Sequence, residues 1–261
     1  MIWLPLGALV VTQVAYPLVP DRAPLVVATV LLGFTASVGH AAVTRGARAG
    51  ATLVAVTAGG GLLVELLGVH TGVPFGRYHY SGAIGPRLYG VPLVIALAWT
   101  WMAWPAWLAA GVLAKRTAAP IAARIALAGL GLAAWDLFLD PQMVAEGYWR
   151  WDHPQPGLPG VPAVPLTNYL GWLGVATAMA AALPHTAALP RTAALPHTAA
   201  LPRAQPERRT DAPMLALYLW TYGASVLAHA AFLHLPASAA WGALGMGLVA
   251  IPLAVRLCTG W

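Results

Sequence analysis

Eight mainly apolar runs follow one another along this chain, at 2–19, 24–43, 51–69, 92–114, 121–140, 166–183, 214–234 and 238–257. A helix needs about 20 such residues to cross the hydrocarbon core of a bilayer. Repeated runs of that length leave little sequence for anything else. The chain is 59% hydrophobic and 8% charged, where a soluble domain carries about 25% charged residues. Backbone polar groups in lipid must be satisfied within the segment, which favours helices. The expected fold class is therefore all-α: a polytopic transmembrane helical bundle of about eight spans, with no sheet. Residues 1–261 form a single integral membrane domain. The start M-I-W-L-P-L lacks a basic leader region and reads as a retained first span, although Pro5 and Pro17 interrupt it. Gly59, Gly60 and Gly61 in the third run suit close backbone packing between membrane helices.

The formal charge is +6, but the basic residues lie in short loops between apolar runs, which argues against nucleic acid as a partner. Counting Lys and Arg by side sets the expected orientation. One side collects ten: Arg45, Arg48, Lys115, Arg116, Arg124, Arg191, Arg203, Arg208, Arg209 and Arg256. The other collects four: Arg22, Arg77, Arg87 and Arg150. The expectation is a multi-pass protein of the cell membrane with both termini cytoplasmic and loops 70–91 and 141–165 on the opposite face. The segment 183–203 repeats L-P-H-T-A-A and L-P-R-T-A-A. Proline every sixth residue forbids a regular helix, so 184–213 reads as a low-complexity cytoplasmic linker. His185 and His197 within it have the chemistry of metal ligands, but a solvated loop is the simpler reading. The one cysteine, Cys258, excludes an internal disulfide.

Two stretches differ from ordinary loops between spans. Glu65 to Pro92 reads E-L-L-G-V-H-T-G-V-P-F-G-R-Y-H-Y-S-G-A-I-G-P-R-L-Y-G-V-P, and Asp136 to Trp172 repeats its plan of acid, aromatic loop, G-V-P and apolar run. The spacing predicts a parallel repeat with one site at the interface of its copies. A carboxylate in hydrocarbon is costly and marks function more often than packing. Glu65 lies about a turn before the end of its run. Asp136 and Asp140, four apart, share a helix face. All three approach the same membrane face, where Arg77, Arg87 and Arg150 offer alternative roles as ion-pair partners. Pro141 is expected to end the helix, and a helix C-terminus disfavours negative charge, which would suit Asp140 or Asp136 to proton donation. Aromatic residues gather at the same level: Tyr78, His79, Tyr80 and Tyr89 in the first loop, Tyr148, Trp149 and Trp151 in the second. Trp99, Trp101, Trp104, Trp107, Trp135 and Trp172 lie in adjoining spans. An interfacial belt accounts for some of these, but not for Y-H-Y and Y-W-R-W with glycines around them. Among the histidines, only His40 and His229 lie within spans as an axial pair for haem requires, and they do not match in depth.

T-G-V-P-F-G-R-Y-H-Y followed by L-Y-G-V-P-L, and W-D-L-F-L-D-P followed by E-G-Y-W-R-W and V-P-L-T-N-Y-L-G-W, resemble a membrane carotenoid-biosynthesis family that includes the CruF-type carotenoid 1,2-hydratases. The resemblance covers most of 60–175. It implies an enzyme that adds water across the terminal double bond of a linear ψ-end carotenoid to give a tertiary alcohol, without a cofactor or a metal. It implies a carotenoid substrate held in the bilayer, and other carotenoid-pathway enzymes are conceivable partners. Asp136, Asp140 and Glu65 become the expected catalytic residues. Tyr78, His79, Tyr80, Tyr89, Trp135, Tyr148, Trp149, Trp151, Asn168 and Trp172 become the expected substrate-binding residues. The chemistry is consistent: protonation of a trisubstituted alkene needs a desolvated acid, aromatic faces stabilise the resulting cation, and a second group must orient water. A proton-coupled transporter of a small or lipophilic solute is the competing class, since intramembrane acids mark such carriers too. A packing subunit is a third.

Overall fold

Proline marks where most of the helices begin. The structure, a computed structural model, describes residues 2–183 and 206–259. Helix α1 spans Trp3–Ala15 and tightens into a 3-10 turn at Tyr16–Leu18. Helix α2, Ala23–Arg45, has Pro24 in its first turn. Helix α3 is continuous over Ala47–Thr71. Helices α4, Leu93–Ala114, and α6, Leu166–Ala182, follow Pro92 and Pro165 directly. Helices α5, Pro120–Ala145, α7, Pro206–Ala231, and α8, Pro236–Thr259, open on proline itself. A residue with fixed φ and no N–H suits a helix start, where that N–H would lack a partner. Six of these helices, α2, α3, α4, α5, α7 and α8, are long and apolar enough to cross a membrane. The shorter α1 and α6 complete an all-α, multi-pass bundle. Residues 184–205 of the expected linker, with His185 and His197, lie outside the described residues, while 206–213 belong to α7.

Helix α4 is the axis of the bundle. In its most apolar stretch 83% of the residues are buried inside the protein, and it packs on α2, α3, α5, α7 and α8. That explains its hydrophobicity on all sides: it faces protein rather than lipid. Helix α5 lies against α4, α6 and α8. Helix α3 carries a π-helical turn at Ala55–Gly59, where Thr57 donates to the Leu53 carbonyl (2.7 Å) and meets Thr100 of α4 (2.7 Å). The neighbouring Gly61 lets α3 close on α4, because a Cβ there would sit 2.6 Å from the Trp99 ring.

Two sequence expectations need correction. The first is the absence of sheet. The loops contain three short antiparallel pairs: β1 Tyr78–Tyr80 with β4 Trp149–Trp151, β2 Arg87–Leu88 with β3 Val91–Pro92, and β5 Gly157–Leu158 with β6 Val161–Pro165. Loop backbone buried under side chains must find partners; the two loops find them in each other at β1–β4 and within themselves at the two hairpins. The second is the end of α5. The helix runs through Pro141 to Ala145, so neither Asp136 nor Asp140 stands at a helix C-terminus. Pro141 cannot donate to the Leu137 carbonyl. Ser238 at the start of α8 donates to that carbonyl instead (2.7 Å), and the helix continues.

Candidate active site

The two organising loops meet along one strand pair. Tyr78 lies opposite Trp151, His79 opposite Arg150 and Tyr80 opposite Trp149. Side chains alternate across a strand, so Tyr78, Tyr80, Trp149 and Trp151 turn inward while His79 and Arg150 face out. Each loop then makes a hairpin of the same register: Leu88 pairs with Val91, and Leu158 pairs with Val161. Gly90 and Gly160 take the left-handed positions in those turns, at φ +91° and +77°. Equivalent segments paired antiparallel about a central His79–Arg150 pair have the local arrangement of a twofold repeat. The second unit carries three additional residues, 163–165, between its G-V-P and the following helix. In both units a tryptophan then stands on the seventh residue past the last proline: Trp99 after Pro92 and Trp172 after Pro165. These two rings stack on each other at 3.9 Å and 16°.

Beneath the strands lies a cavity of about 140 Å³, lined by residues of both units and of α1, α2 and α7. On one side Glu65 of α3 is buried with three donors. Tyr78 and Tyr80 donate to Oε2 at 2.5 and 2.8 Å, and Trp99 Nε1 donates to Oε1 at 3.2 Å. Gly68 makes room for the Tyr78 hydroxyl, which a Cβ would approach to 2.7 Å. Burial, with the Glu65 carboxylate beside them, pushes both tyrosine phenols above their ordinary value, so they remain protonated donors. On the other side Asp136 and Asp140 of α5 converge on one amide: Asn168 Nδ2 donates to Asp136 Oδ2 (2.7 Å) and to Asp140 Oδ2. Trp149 Nε1 donates to Asp140 Oδ1 (3.0 Å). Asp136 Oδ1 is buried with no donor facing it, and the two carboxyl groups lie within hydrogen-bonding reach of each other. A proton on either one bridges the pair.

An aromatic wall joins the two sides. Trp135 meets Trp172 edge-on at 6.1 Å, and Phe75 lies 6.2–6.4 Å from Tyr78, Trp99 and Trp172. The Phe75 carbonyl accepts from Trp151 Nε1 at 2.9 Å. Of the thirteen residues expected from sequence, nine line the cavity: Glu65, Tyr78, Tyr80, Trp135, Asp140, Trp149, Trp151, Asn168 and Trp172. Asp136 sits directly behind Asp140. Three stand elsewhere. His79 is on the outer strand face, 3.0 Å from Asp152. Tyr89 is 77% exposed at its hairpin tip. Tyr148 is buried beside Glu146 and Arg22, which pair with each other. Sequence reasoning did not assign Phe75, Trp99, Gln13 or His229 to the cavity, which they also line. The equal spacing of Trp99 and Trp172 from their prolines carried the signal for one of them. His229 directs its ring nitrogens to the carbonyls of Ser225 (2.8 Å) and Phe138 (3.0 Å), and His40 accepts from Trp104 Nε1 (3.0 Å), so both histidines are held by the fold.

A family model described as "Carotenoid biosynthesis protein" matches residues 25–250, from α2 into α8. The curated bisanhydrobacterioruberin hydratase of Haloarcula japonica is 36% identical over 128 residues, which is 48% of this chain and 41% of that protein. The chain therefore aligns with less than half of that relative's length. No solved structure matches the chain.

Proposed function

The chain belongs to the carotenoid biosynthesis protein family, and from that premise we propose that it is a hydratase acting on the terminal 1,2 double bond of a linear ψ-end carotenoid, yielding a tertiary alcohol. The observation that carries the reading is the unequal supply of donors around the cavity. The two aspartate carboxyls share three N–H donors, two from Asn168 and one from Trp149, while Glu65 has three donors to itself. Asp140, which lines the cavity, gives the proton. It goes to the less substituted alkene carbon, forming a C–H bond and leaving a tertiary cation. The Tyr80, Trp149 and Trp172 rings stabilise that cation. Glu65 Oε1, which among the described residues accepts only from Trp99, holds the attacking water. Water forms the C–O bond and gives its proton to Glu65, which returns it to the aspartate pair through solvent at the loop face. One water is added and nothing is oxidised or reduced. The name of the Haloarcula japonica relative supports the same reaction class.

Purified protein incubated with a ψ-end carotenoid in ¹⁸O-labelled water, without oxygen or reductant, is expected to yield a labelled alcohol. Unchanged carotenoid together with solute or proton flux in liposomes would favour a carrier instead. The orientation belongs to the proposal as well: the paired loops face away from the cytoplasm and both termini lie within it. A cysteine at position 153 should then react with an impermeant reagent applied outside cells, and one at position 197 should not.

A further inference from the structure

The cavity beside Asp140 and Glu65 is small for its proposed ligand. At about 140 Å³ it falls below the roughly 300–1,000 Å³ of pockets that enclose a drug-sized molecule. It can take the end of a long molecule and not its length. A second, apolar hollow of about 380 Å³ lies between α1 and α7. The two spaces are adjacent and share Gln13, Pro17, Ala224 and Ala228 in their linings. The rim of the second is apolar and exposed: Val14, Leu18 and Leu227 are 51%, 66% and 60% accessible. In a membrane-spanning bundle such a rim faces lipid. Helix α1 packs mainly along α2. The seam to α7 is bridged by a polar contact, Trp220 Nε1 donating to Gln13 Oε1 at 2.7 Å.

We infer that the α1–α7 groove is the lateral route and resting place of the substrate's apolar chain, whose reactive end passes Gln13 into the cavity. The inference rests on the proposed reaction for the identity of that chain, a linear polyene drawn from the bilayer. The groove supplies what the cavity lacks, an apolar trough beside the acid-bearing cavity with its rim towards lipid rather than water. A phospholipid acyl chain has similar chemistry, but it has no end group for the cavity to receive.

Gly223 lines the groove, and a Cβ built on it meets nothing within 4 Å. A side chain at 223 therefore starts in open space, and Gly223→Trp projects an indole into the groove. Gly174 on α6 is equally open and lies outside both spaces, so Gly174→Trp is the control. In vesicles, Gly223→Trp should lower hydration of the full-length carotenoid roughly tenfold or more. It should leave hydration of a short water-dispersed alkene with the same end group, which reaches the cavity from solvent at the loop face rather than through the groove, within about twofold of the unsubstituted chain. Gly174→Trp should change neither. Equal rates on both substrates, or equal losses on both, would overturn the route. Occupancy is read separately with Gly223→Cys in a Cys258→Ser background. Adding the polyene to phospholipid vesicles should slow thiol labelling at 223 about fivefold or more. Labelling that is the same with and without polyene overturns the inference and leaves lipid as the occupant. Protection in a protein that hydrates neither substrate would support the groove and overturn the reaction.

Discussion

The two halves of the site are built on one plan and equipped in opposite ways. Each consists of a helix with a buried acid, a strand of alternating aromatics, a hairpin turning at glycine, and a helix carrying a tryptophan seven residues in. The first half surrounds a single carboxylate with three donors. The second gives two carboxyl groups one shared amide and one indole N–H, leaving Asp136 Oδ1 with no donor. Donors in surplus favour a stable anion, and acceptors in surplus are balanced by a proton. The comparison teaches that two similar loop-and-helix units can surround their carboxyl groups with different numbers of donors, by varying which residue faces each carboxyl. In the strands, Tyr78 and Tyr80 stand in the first unit where Trp149 and Trp151 stand in the second.

Substitutions can break that comparison. The largest effect is expected from Asp140→Asn, which keeps shape and removes the transferable proton. General acid catalysis is worth about 10²–10⁴-fold, so pigment extracts should show almost no hydrated product at normal protein levels. Asp136→Asn should follow closely. If both retain near-normal hydration, the proton has another source and the two halves are not acid and base. Glu65→Gln removes the proton acceptor but should cost less, towards the lower end of that range at about 10²-fold, because a tertiary cation captures water readily. A loss from Glu65→Gln exceeding that from Asp140→Asn would reverse the assignment of the halves. Tyr80→Phe removes one of three donors and should slow turnover about fivefold, in line with about 1 kcal/mol for one hydrogen bond. His79→Ala tests the strand's alternation, since its side chain faces out. Activity and melting temperature should stay close to those of the unsubstituted chain, with a stability change within about 0.5 kcal/mol. Removing 184–203 should have the smallest effect, because that segment follows both halves in sequence and carries neither of their motifs.

The spans were legible because the bilayer imposes a length, and the acids stood out because hydrocarbon rarely tolerates them. The strand pair was also visible in Y-H-Y and W-R-W, whose period of two places His79 and Arg150 opposite their neighbours. It was hidden by the expectation that membrane loops lack sheet. Tyr89 was grouped with the other tyrosines by proximity in sequence, yet a hairpin register separates a tip residue from the strands it joins. Pro141 was misread for a different reason. Local sequence says only that the Leu137 carbonyl loses its donor. The hydroxyl that replaces it, Ser238, is 101 residues away from that carbonyl.

That distant hydroxyl makes the last helix part of the acid pair's geometry. Leu137 lies between Asp136 and Asp140 on α5, so the helical phase relating the two carboxyls depends on how its carbonyl is satisfied. A protein dissected to the segment bearing the recognisable motifs would contain every carboxyl and tryptophan of the cavity, with Tyr78 and Tyr80, and lack Ser238. Its α5 would be free to unwind at Pro141, turning Asp140 away from Asn168. For anyone transplanting this site onto another scaffold, the portable unit is therefore larger than the motifs. It includes a serine that touches no substrate.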